Sequence, residues 1–459
     1  MKRLIILSLV TCLLTGCGIY KQYSRPDIDI EAQYRHAENT VDTATIASLS
    51  WREFFTDTCL QALIEQGLQR NTDLQIARLK TEEAEAVLFN ARLSYLPALS
   101  LSPQASVGRY DGNTTKTYQI AASASWELDI FGKNTNAQRG ARAALAGSRD
   151  YAQAVRTQLI ATIANSYYTL LMLDIQLNIG EQTLDNWEKS IRTLEALKRV
   201  GKTNDAAVLQ ARANLMTLES SVLALRKSIA DTENSLSALL ALPSQHIARG
   251  ALAETTFPES VSVGIPVQLL ANRPDVRQAE RSLAQAFYAT NAARAAFYPT
   301  VTLSGTLGWT NSGGGAILNP GRWLLNAIGS LTQPLFNKGT NIANLKIAKV
   351  QQEEAKLQFR QSLLDAGKEV NDALVQCQTA KRQIELGEQQ VATLHEAVSQ
   401  TEQLMRHSSS TYLEVLTARQ SLLDAQQKLS QYRFDNIQGL INLYHALGGG
   451  GLILKKLSL

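Results

Sequence analysis

Four segments of the chain alternate between apolar and polar residues with a period of two. In residues 99–107 every second residue is apolar or proline, and the residues between them are serine or glutamine. The same alternation occurs in residues 118–130 and 300–310, and less regularly in residues 323–336. Alternation over this length predicts β-strands that are long enough to cross a membrane at a tilt.

Between the strand pairs and after them, the sequence is typical of very long helices. Residues 136–199 and 341–406 contain no proline and are rich in alanine, glutamine and leucine. At 1.5 Å per residue each would be roughly 96 Å long. Each breaks near a short polar turn and is followed by a shorter returning helix. Helices of this length and composition pack as coiled coils.

The two halves of the chain resemble each other. Tyr95–Pro97 recur as Phe297–Pro299, 202 positions later, and Val208–Arg212 recur as Val415–Arg419, 207 positions later. Each half therefore consists of helix, strand, turn, strand, very long helix and returning helix. The predicted segments are a signal peptide at 1–16, a lipid-anchored arm with the start of an equatorial region at 17–59, a first repeat at 60–243, a linker at 244–265, a second repeat at 266–450 and a tail at 451–459.

Four strands are too few to close a barrel, because small closed barrels begin near eight strands. A symmetric oligomer can supply the remainder, and a trimer would give 12 strands. The fold predicted is a mixed α and β membrane protein. Four strands per protomer complete a 12-stranded trimeric β-barrel, which a long α-helical coiled-coil tunnel continues into the periplasm.

The first residues indicate export. A short basic start precedes an apolar run from Leu4 to Leu14, which ends in Leu14-Thr15-Gly16-Cys17. This resembles a bacterial lipobox, in which the cysteine receives a lipid, so Cys17 is the predicted lipidation site. Gly18 favours sorting to the outer membrane. The alternative is an ordinary cleaved signal in which Cys17 is incidental.

Charge and composition argue against several classes of function. The formal net charge is +4 and there is no basic block, so no nucleic-acid partner is predicted. The five histidines are scattered, and no catalytic order of nucleophile, histidine and acid is found. We therefore predict no enzymatic activity, no metal site and no cofactor.

Seven short motifs, in the same order and spacing, make the chain similar to the TolC-like outer membrane factors, specifically the acylated NodT-type branch. They are Tyr23–Pro26, Trp51–Phe55, Ala124–Gly132, Asn272–Val276, Ala292–Pro299, Tyr412–Leu416 and Leu447–Gly450. The resemblance implies a homotrimer, lipid-anchored in a Gram-negative outer membrane. It would work with a periplasmic adaptor and an inner-membrane RND-type transporter. Its function would be passive conduction of drugs, toxic compounds or metal ions.

The resemblance also implies a gate at the periplasmic end of the helices. Family members close this end with acidic and polar residues. Here Ser410 occupies a common aspartate position, so a ring of aspartates that filters cations is not supported there. Asp205, Arg406 and His407 are the nearby candidates, and a histidine changes charge near neutral pH. The alternative is that all four are ordinary solvated turn residues.

Three tryptophans, Trp126, Trp309 and Trp323, lie on or beside the predicted strands. Aromatic rings collect at membrane interfaces, because one part of the ring system is apolar and another is polar. Burial between strands and helices is the alternative.

Two other functions fit parts of the sequence. One is the exit pore of a type I protein or peptide secretion system, which shares this architecture. The other is a lipid-anchored coiled-coil spacer in which the strands form a soluble cap. The outward apolar residues of the strands argue against a soluble cap.

Overall fold

The computed structural model describes residues 20, 22–26, 49–252, 257, 273–310, 322–406 and 412–449. Its helices are α1 (Trp51–Phe54), α2 (Thr58–Arg70), α3 (Thr72–Leu93), α4 (Lys133–Arg199), α5 (Asp205–Leu239), α6 (Pro274–Ala295), α7 (Thr340–Arg406) and α8 (Tyr412–Ala446). Its strands are β1 (Ala98–Tyr110), β2 (Asn113–Leu128), β3 (Thr300–Thr310) and β4 (Arg322–Thr332). In the described part of the chain, no helix is both long enough and apolar enough to cross a membrane.

The helices of the two halves have equal lengths. Helices α3 and α6 each contain 22 residues, α4 and α7 each contain 67, and α5 and α8 each contain 35. Helix α4 begins 207 positions before α7, and α5 begins 207 positions before α8. We call α4 with α5 the first hairpin and α7 with α8 the second hairpin.

The strands differ from the predicted segments mainly at their ends. Strand β2 begins at Asn113 rather than at 118, because the intervening threonines pair with β1. It ends at Leu128, since Asp129 leaves the sheet to cap the next helix. Strand β4 ends at Thr332 rather than at 336. Pro334 follows two residues later, and proline has no N–H to donate to a ladder.

The chain divides into two compact units, and each unit contains parts of both halves. The first includes Arg78–Asp150 and Arg277–Ser362, and therefore the whole sheet. Ion pairs and a hydrogen bond join its helical segments. They are Arg149–Glu85 at 2.7 Å, Arg277–Asp150 at 2.9 Å, and the Thr290 hydroxyl donating to the Ala348 carbonyl at 3.1 Å.

The second unit has an aromatic core around α1. Phe54 stacks on Tyr444 with ring centroids 4.2 Å apart. The Tyr167 hydroxyl donates to Asp57 at 2.6 Å, which raises the pKa of Tyr167 together with burial, the larger cause. Residues far apart in sequence, including the last helix, therefore meet in one core.

Candidate functional site: the two-faced sheet and the helix ends

The four strands form one antiparallel sheet in the order β1-β2-β3-β4. Its register places residues of one chemical type in rows across the strands. One row consists of Leu101, Ala122, Leu307 and Leu325, and the neighbouring polar row consists of Ser100, Ser123, Thr306 and Asn326. Since side chains alternate between the faces of a sheet, the two rows belong to opposite faces.

We call the face that carries Leu101 the apolar face. Its large side chains are exposed in the chain. They are Leu99, Leu101, Val107, Ile120, Trp126, Leu303, Leu307, Trp309, Trp323, Leu325 and Leu331. An exposed apolar surface of this continuity indicates that another apolar phase or molecule covers it.

We call the opposite side the polar face, and serine and threonine predominate on it. Hydroxyl groups pair across strands there, Ser100 with Ser123 at 2.8 Å and Ser106 with Thr117 at 2.6 Å. Leu324 and Ile328 also lie on this face, and they make the alternation of residues 323–336 less regular than that of the other strands. Each strand therefore has one side suited to water and one suited to an apolar environment.

The tryptophans lie toward both ends of the apolar face. Trp309 and Trp323 face each other across β3 and β4, with ring centroids 5.0 Å apart. Trp126 is opposite Leu303, and its indole N–H donates to the Tyr95 carbonyl at 2.9 Å. Trp309 lies six positions after Leu303, which corresponds to about 20 Å along the strand.

The junction of sheet and helix is built from the motif that ends at Gly132. Asp129 accepts hydrogen bonds from the backbone N–H of Asn134 at 2.8 Å and of Thr135 at 2.7 Å. The Tyr95 hydroxyl donates to the Thr135 hydroxyl at 2.9 Å. A carboxylate at the start of a helix satisfies free N–H groups and favours the helix dipole. The strand is thereby fixed to α4.

The turn of the first hairpin is capped on both sides. Gly201 has a positive φ of 75°, and the following Lys202 N–H donates to the Leu197 carbonyl at 2.9 Å. The Asn204 side chain accepts from the Ala207 N–H at 3.0 Å. Asp205, the first residue of α5, pairs with Lys198 at 2.6 Å. This aspartate is exposed and its charge is already partnered within the hairpin.

The two hairpins meet in a hydrophobic cluster near this turn. Its buried members are Trp187, Ile191, Leu194, Val208, Ala211, Leu218, Tyr412, Leu416 and Leu423. Arg419 of the second hairpin crosses to the first, where it donates to the Ser190 hydroxyl and to the Asn186 carbonyl at 3.4 Å. It also pairs with Glu402 at 2.5 Å.

Comparison with known proteins assigns the family. The family described as outer membrane efflux protein matches residues 63–242 and 265–449. The chain belongs to the outer membrane efflux protein family. The two matched ranges correspond to the two internal repeats, and the family is one of transport channels rather than enzymes.

Relatives and solved structures agree with this assignment. The cation efflux system protein CusC of Escherichia coli strain K12 is 32% identical over 451 residues, covering 96% of this chain and 98% of CusC. The probable outer membrane lipoprotein SilC of Salmonella typhimurium is 31% identical, covering 98% of this chain and 99% of SilC. The open-state structure of the MtrE outer membrane channel of Neisseria gonorrhoeae is similar with a TM-score of 0.85 at 26% identity, covering 94% of this chain and 98% of MtrE.

This outer membrane efflux protein is therefore a channel subunit of an efflux system, as the sequence predicted. The predicted mixed fold with four strands per chain is also confirmed. Of the predicted site residues, the three tryptophans lie on the apolar face and Asp205 lies at the hairpin turn. Arg406 is the last residue of α7, whereas Cys17, His407 and Ser410 lie outside the described residues. Their roles remain predictions.

Sequence analysis missed the polar link that Arg419 makes. A signal was present, since Arg212 and Arg419 are counterparts at the 207-residue spacing and each has a glutamate 17 positions earlier. Both thiols of the described chain, Cys59 and Cys377, are free, and burial raises the pKa of Cys377 to about 11. Within the described residues, no group of three or more potential ligands could hold a metal ion.

Proposed function

We propose that three copies of this outer membrane efflux protein form a homotrimer. Their sheets close into a 12-stranded barrel in the outer membrane, and their hairpins continue it as a periplasmic tunnel. Small molecules leave the cell passively through this duct. A periplasmic adaptor and an inner-membrane RND-type transporter deliver them and supply the energy.

The observation that carries this proposal is the two-faced sheet with open edges. In the described chain, β1 and β4 each have a strand partner on one side only. Unpaired strand edges are unfavourable in lipid, because each backbone N–H or C=O group that lacks a hydrogen-bond partner there costs several kcal/mol. Pairing the β1 edge of one copy with the β4 edge of the next satisfies both edges. It also turns every apolar face toward lipid and every polar face toward the lumen.

The separation of the tryptophans supports the same arrangement. An apolar band flanked by aromatic residues is roughly 25 Å tall in outer-membrane barrels. Trp126 lies toward one end of the apolar face, and Trp309 with Trp323 lies toward the other. We assign all three to the membrane interfaces.

Cysteine labelling of two adjacent residues tests this arrangement. In a Cys59→Ser background, Leu101→Cys would lie in lipid and Ser102→Cys in the lumen. A hydrophilic maleimide added to intact outer membranes should label Ser102→Cys at least tenfold faster, and denaturation should equalise the two rates. Equal labelling in intact membranes would contradict the proposal. So would a monomeric mass by light scattering in detergent.

The cargo is chosen upstream of this subunit. Relatives of similar sequence are named for cation, antibiotic, toluene and solvent efflux. We propose that the adaptor and transporter select the compound, and that the channel conducts drugs, toxic compounds or metal ions. Exchanging the transporter in cells while keeping this channel should change the spectrum of exported compounds. An unchanged spectrum would place selection in the channel.

Two further roles concern the lipid anchor and the periplasmic gate, whose residues Cys17, His407 and Ser410 lie outside the described chain. Cys17 carries the lipid anchor, and Cys17→Ser should abolish incorporation of labelled palmitate while the detergent-purified protein remains trimeric. Asp205, Arg406, His407 and Ser410 form the periplasmic gate, with His407 as its titrating group. Single-channel conductance of His407→Ala should lose the pH dependence of the wild type between pH 5 and 8. A pH profile identical to that of the wild type would remove this histidine from the gate.

A further inference from the structure

Helix α5 has an apolar stripe on the side opposite its buried face. The α5 stripe consists of Leu209, Met216 and Leu223, spaced seven residues apart, with 60%, 65% and 64% of their surfaces exposed. On the opposite side of the helix, Ala211 and Leu218 are buried. Residues spaced by heptads lie along one side of a helix, as at coiled-coil contacts.

The counterparts of the stripe in the second half are buried. Leu416, Leu423 and Ser430 of α8 lie 207 positions after the stripe residues, and only 3%, 4% and 4% of their surfaces are exposed. Leu416 and Leu423 belong to the cluster with Trp187 and other residues of the first hairpin. This side of α8 is therefore covered by the first hairpin, whereas the corresponding side of α5 is exposed.

The two hairpins match residue by residue. Two ion pairs between the arms of the first hairpin recur in the second, each shifted by 207 positions. They are Arg212–Glu195 and Arg226–Glu181, at 2.5 and 2.8 Å, and Arg419–Glu402 and Arg433–Glu388, at 2.5 and 2.9 Å. The long and returning helices thus have the same register in both hairpins.

The arginines beside the two stripes differ in the same way. The Arg419 side chain is 23% exposed, and it reaches across to Ser190 and to the Asn186 carbonyl of α4. Its counterpart Arg212 is 55% exposed. The first hairpin therefore presents both the apolar residues and the guanidinium with which the second hairpin binds a neighbouring hairpin.

We propose that the α5 stripe binds α7 of a second copy of this chain, in the register in which α8 binds α4 within one chain. This rests on the proposed oligomer and names the surface by which its helical parts associate. The receiving residues on α7 are the counterparts of two cluster residues of α4 and of two residues that pack against the cluster, and all four are apolar. Leu386, Val391, Leu394 and Val398 correspond to Ile179, Leu184, Trp187 and Ile191.

A second copy of the chain can bind here because the α5 stripe and the receiving residues on α7 are different parts of the same chain. Such a head-to-tail contact is satisfied for every copy only when the copies close into a ring. The contact is limited in extent, since Lys227 occupies the position of the buried Phe434. It therefore covers residues 209–223, about 21 Å of helix next to the turn of the first hairpin.

Cross-linking tests the register. The internal contact of Arg419 with Ser190 corresponds to Arg212 of one copy with Ala397 of the next. In a Cys59→Ser background, Arg212→Cys with Ala397→Cys should be joined between chains by a short bis-maleimide, which gives covalent dimers and trimers on a denaturing gel. Arg419→Cys with Ser190→Cys should be joined within one chain and keep the monomer mass. Thr217→Cys with Ala397→Cys is the negative control.

A charge substitution tests the stripe itself. Met216→Glu should lower the temperature at which the detergent-purified assembly dissociates by at least 10 °C. Thr217→Glu is the matched control, because its counterpart in α8 is the exposed acid Asp424, and it should leave that temperature unchanged. Circular dichroism should show equal helix content in both variants.

The outcomes separate this inference from the proposed function. If the wild type is trimeric but Arg212→Cys with Ala397→Cys gives only monomer, while the internal pair reacts, the inferred contact is wrong and the trimer stands. Equal dissociation temperatures for Met216→Glu and the wild type would also overturn it. A monomeric wild type would contradict the proposed function instead.

Discussion

At the scale of single residues, Arg273 concentrates the polar contacts of a buried site. Its guanidinium donates to both Asp275 oxygens, at 3.0 and 2.7 Å, to Glu369 at 2.7 Å and to the Ala446 carbonyl at 3.0 Å. The Arg273 side chain is buried, whereas the Asp275 and Glu369 carboxylates are about half exposed. Arg273 thereby links the start of α6 and the last turn of α8 to α7.

Replacing this arginine should be strongly destabilising. Arg273→Met leaves the buried Ala446 carbonyl without this donor and the two half-exposed carboxylates without their cation, which we expect to lower the free energy of unfolding by about 1–3 kcal/mol. Arg382→Met is the control, because Arg382 pairs with Glu385 on an exposed helix surface. It should cost less than about 1 kcal/mol. Guanidinium denaturation of the detergent-purified protein measures both, and equal midpoints would contradict the prediction.

The same site predicts a dependence of stability on pH. Burial alone would raise the pKa of Asp275, but the hydrogen bond and charge of Arg273 outweigh burial and hold this pKa below its usual value. The resulting stabilisation is present above the ordinary aspartate pKa of about 3.9 and is lost as the pH falls through the lower folded-state value. Asp275→Asn should therefore be less stable than the wild type at pH 7, and the difference should shrink below pH 4. A constant difference between pH 7 and pH 3 would exclude this carboxylate as the titrating group.

At the scale of elements, one glycine lets β2 and β3 approach. A Cβ added at Gly308 would lie 2.2 Å from the Ile120 carbonyl oxygen and 2.6 Å from the Ala121 Cα. Both are backbone atoms, so a side chain there can be accommodated only if the strands move apart. At Gly305, three residues earlier on the same strand, the nearest atom would be the Asn326 carbonyl oxygen at 3.6 Å, an ordinary contact.

Substitution at these two glycines should therefore have different effects. Gly308→Ala should destabilise the sheet by about 1–3 kcal/mol, the usual cost of overpacking. Gly305→Ala should have little effect. The fraction of protein that resists dissociation on an unheated denaturing gel measures the difference, and equal fractions for the two variants would argue against close approach at Gly308.

Alternation in the sequence predicted which strand residues share a face, because side-chain direction follows the strand period directly. The less regular segment, residues 323–336, is also the one in which two apolar residues, Leu324 and Ile328, lie on the polar face. It did not predict where β4 ends or that Arg419 reaches Ser190. The Arg419 contact joins residues 229 positions apart, and the end of β4 is set by Pro334 rather than by the alternation. The sequence also does not indicate that Leu416 is buried while Leu209 is exposed, because the residues around them are nearly the same.

At the scale of the whole molecule, the two hairpins have equal lengths. We expect assembly to require that any change in the length of one is matched in the other. Removing one heptad from each arm of the first hairpin, residues 188–194 and 213–219, keeps both ion pairs of that hairpin but shortens it by about 10 Å. The end of α4 and the start of α5 would no longer lie level with the end of α7 and the start of α8, so the assembled fraction should fall severely. Removing the counterparts 395–401 and 420–426 as well should restore assembly. A double deletion no better than the single one would contradict equal register as the requirement.

The two open strand edges have a consequence for inheritance. In the proposed homotrimer, a chain with one damaged edge still offers the other, so it would enter rings with normal chains and interrupt them. When half of the copies are damaged in this way, only about one ring in eight is free of them if three subunits mix at random. Alleles that alter an edge strand should therefore be dominant in a cell that also carries the normal gene, whereas alleles that prevent synthesis should be recessive.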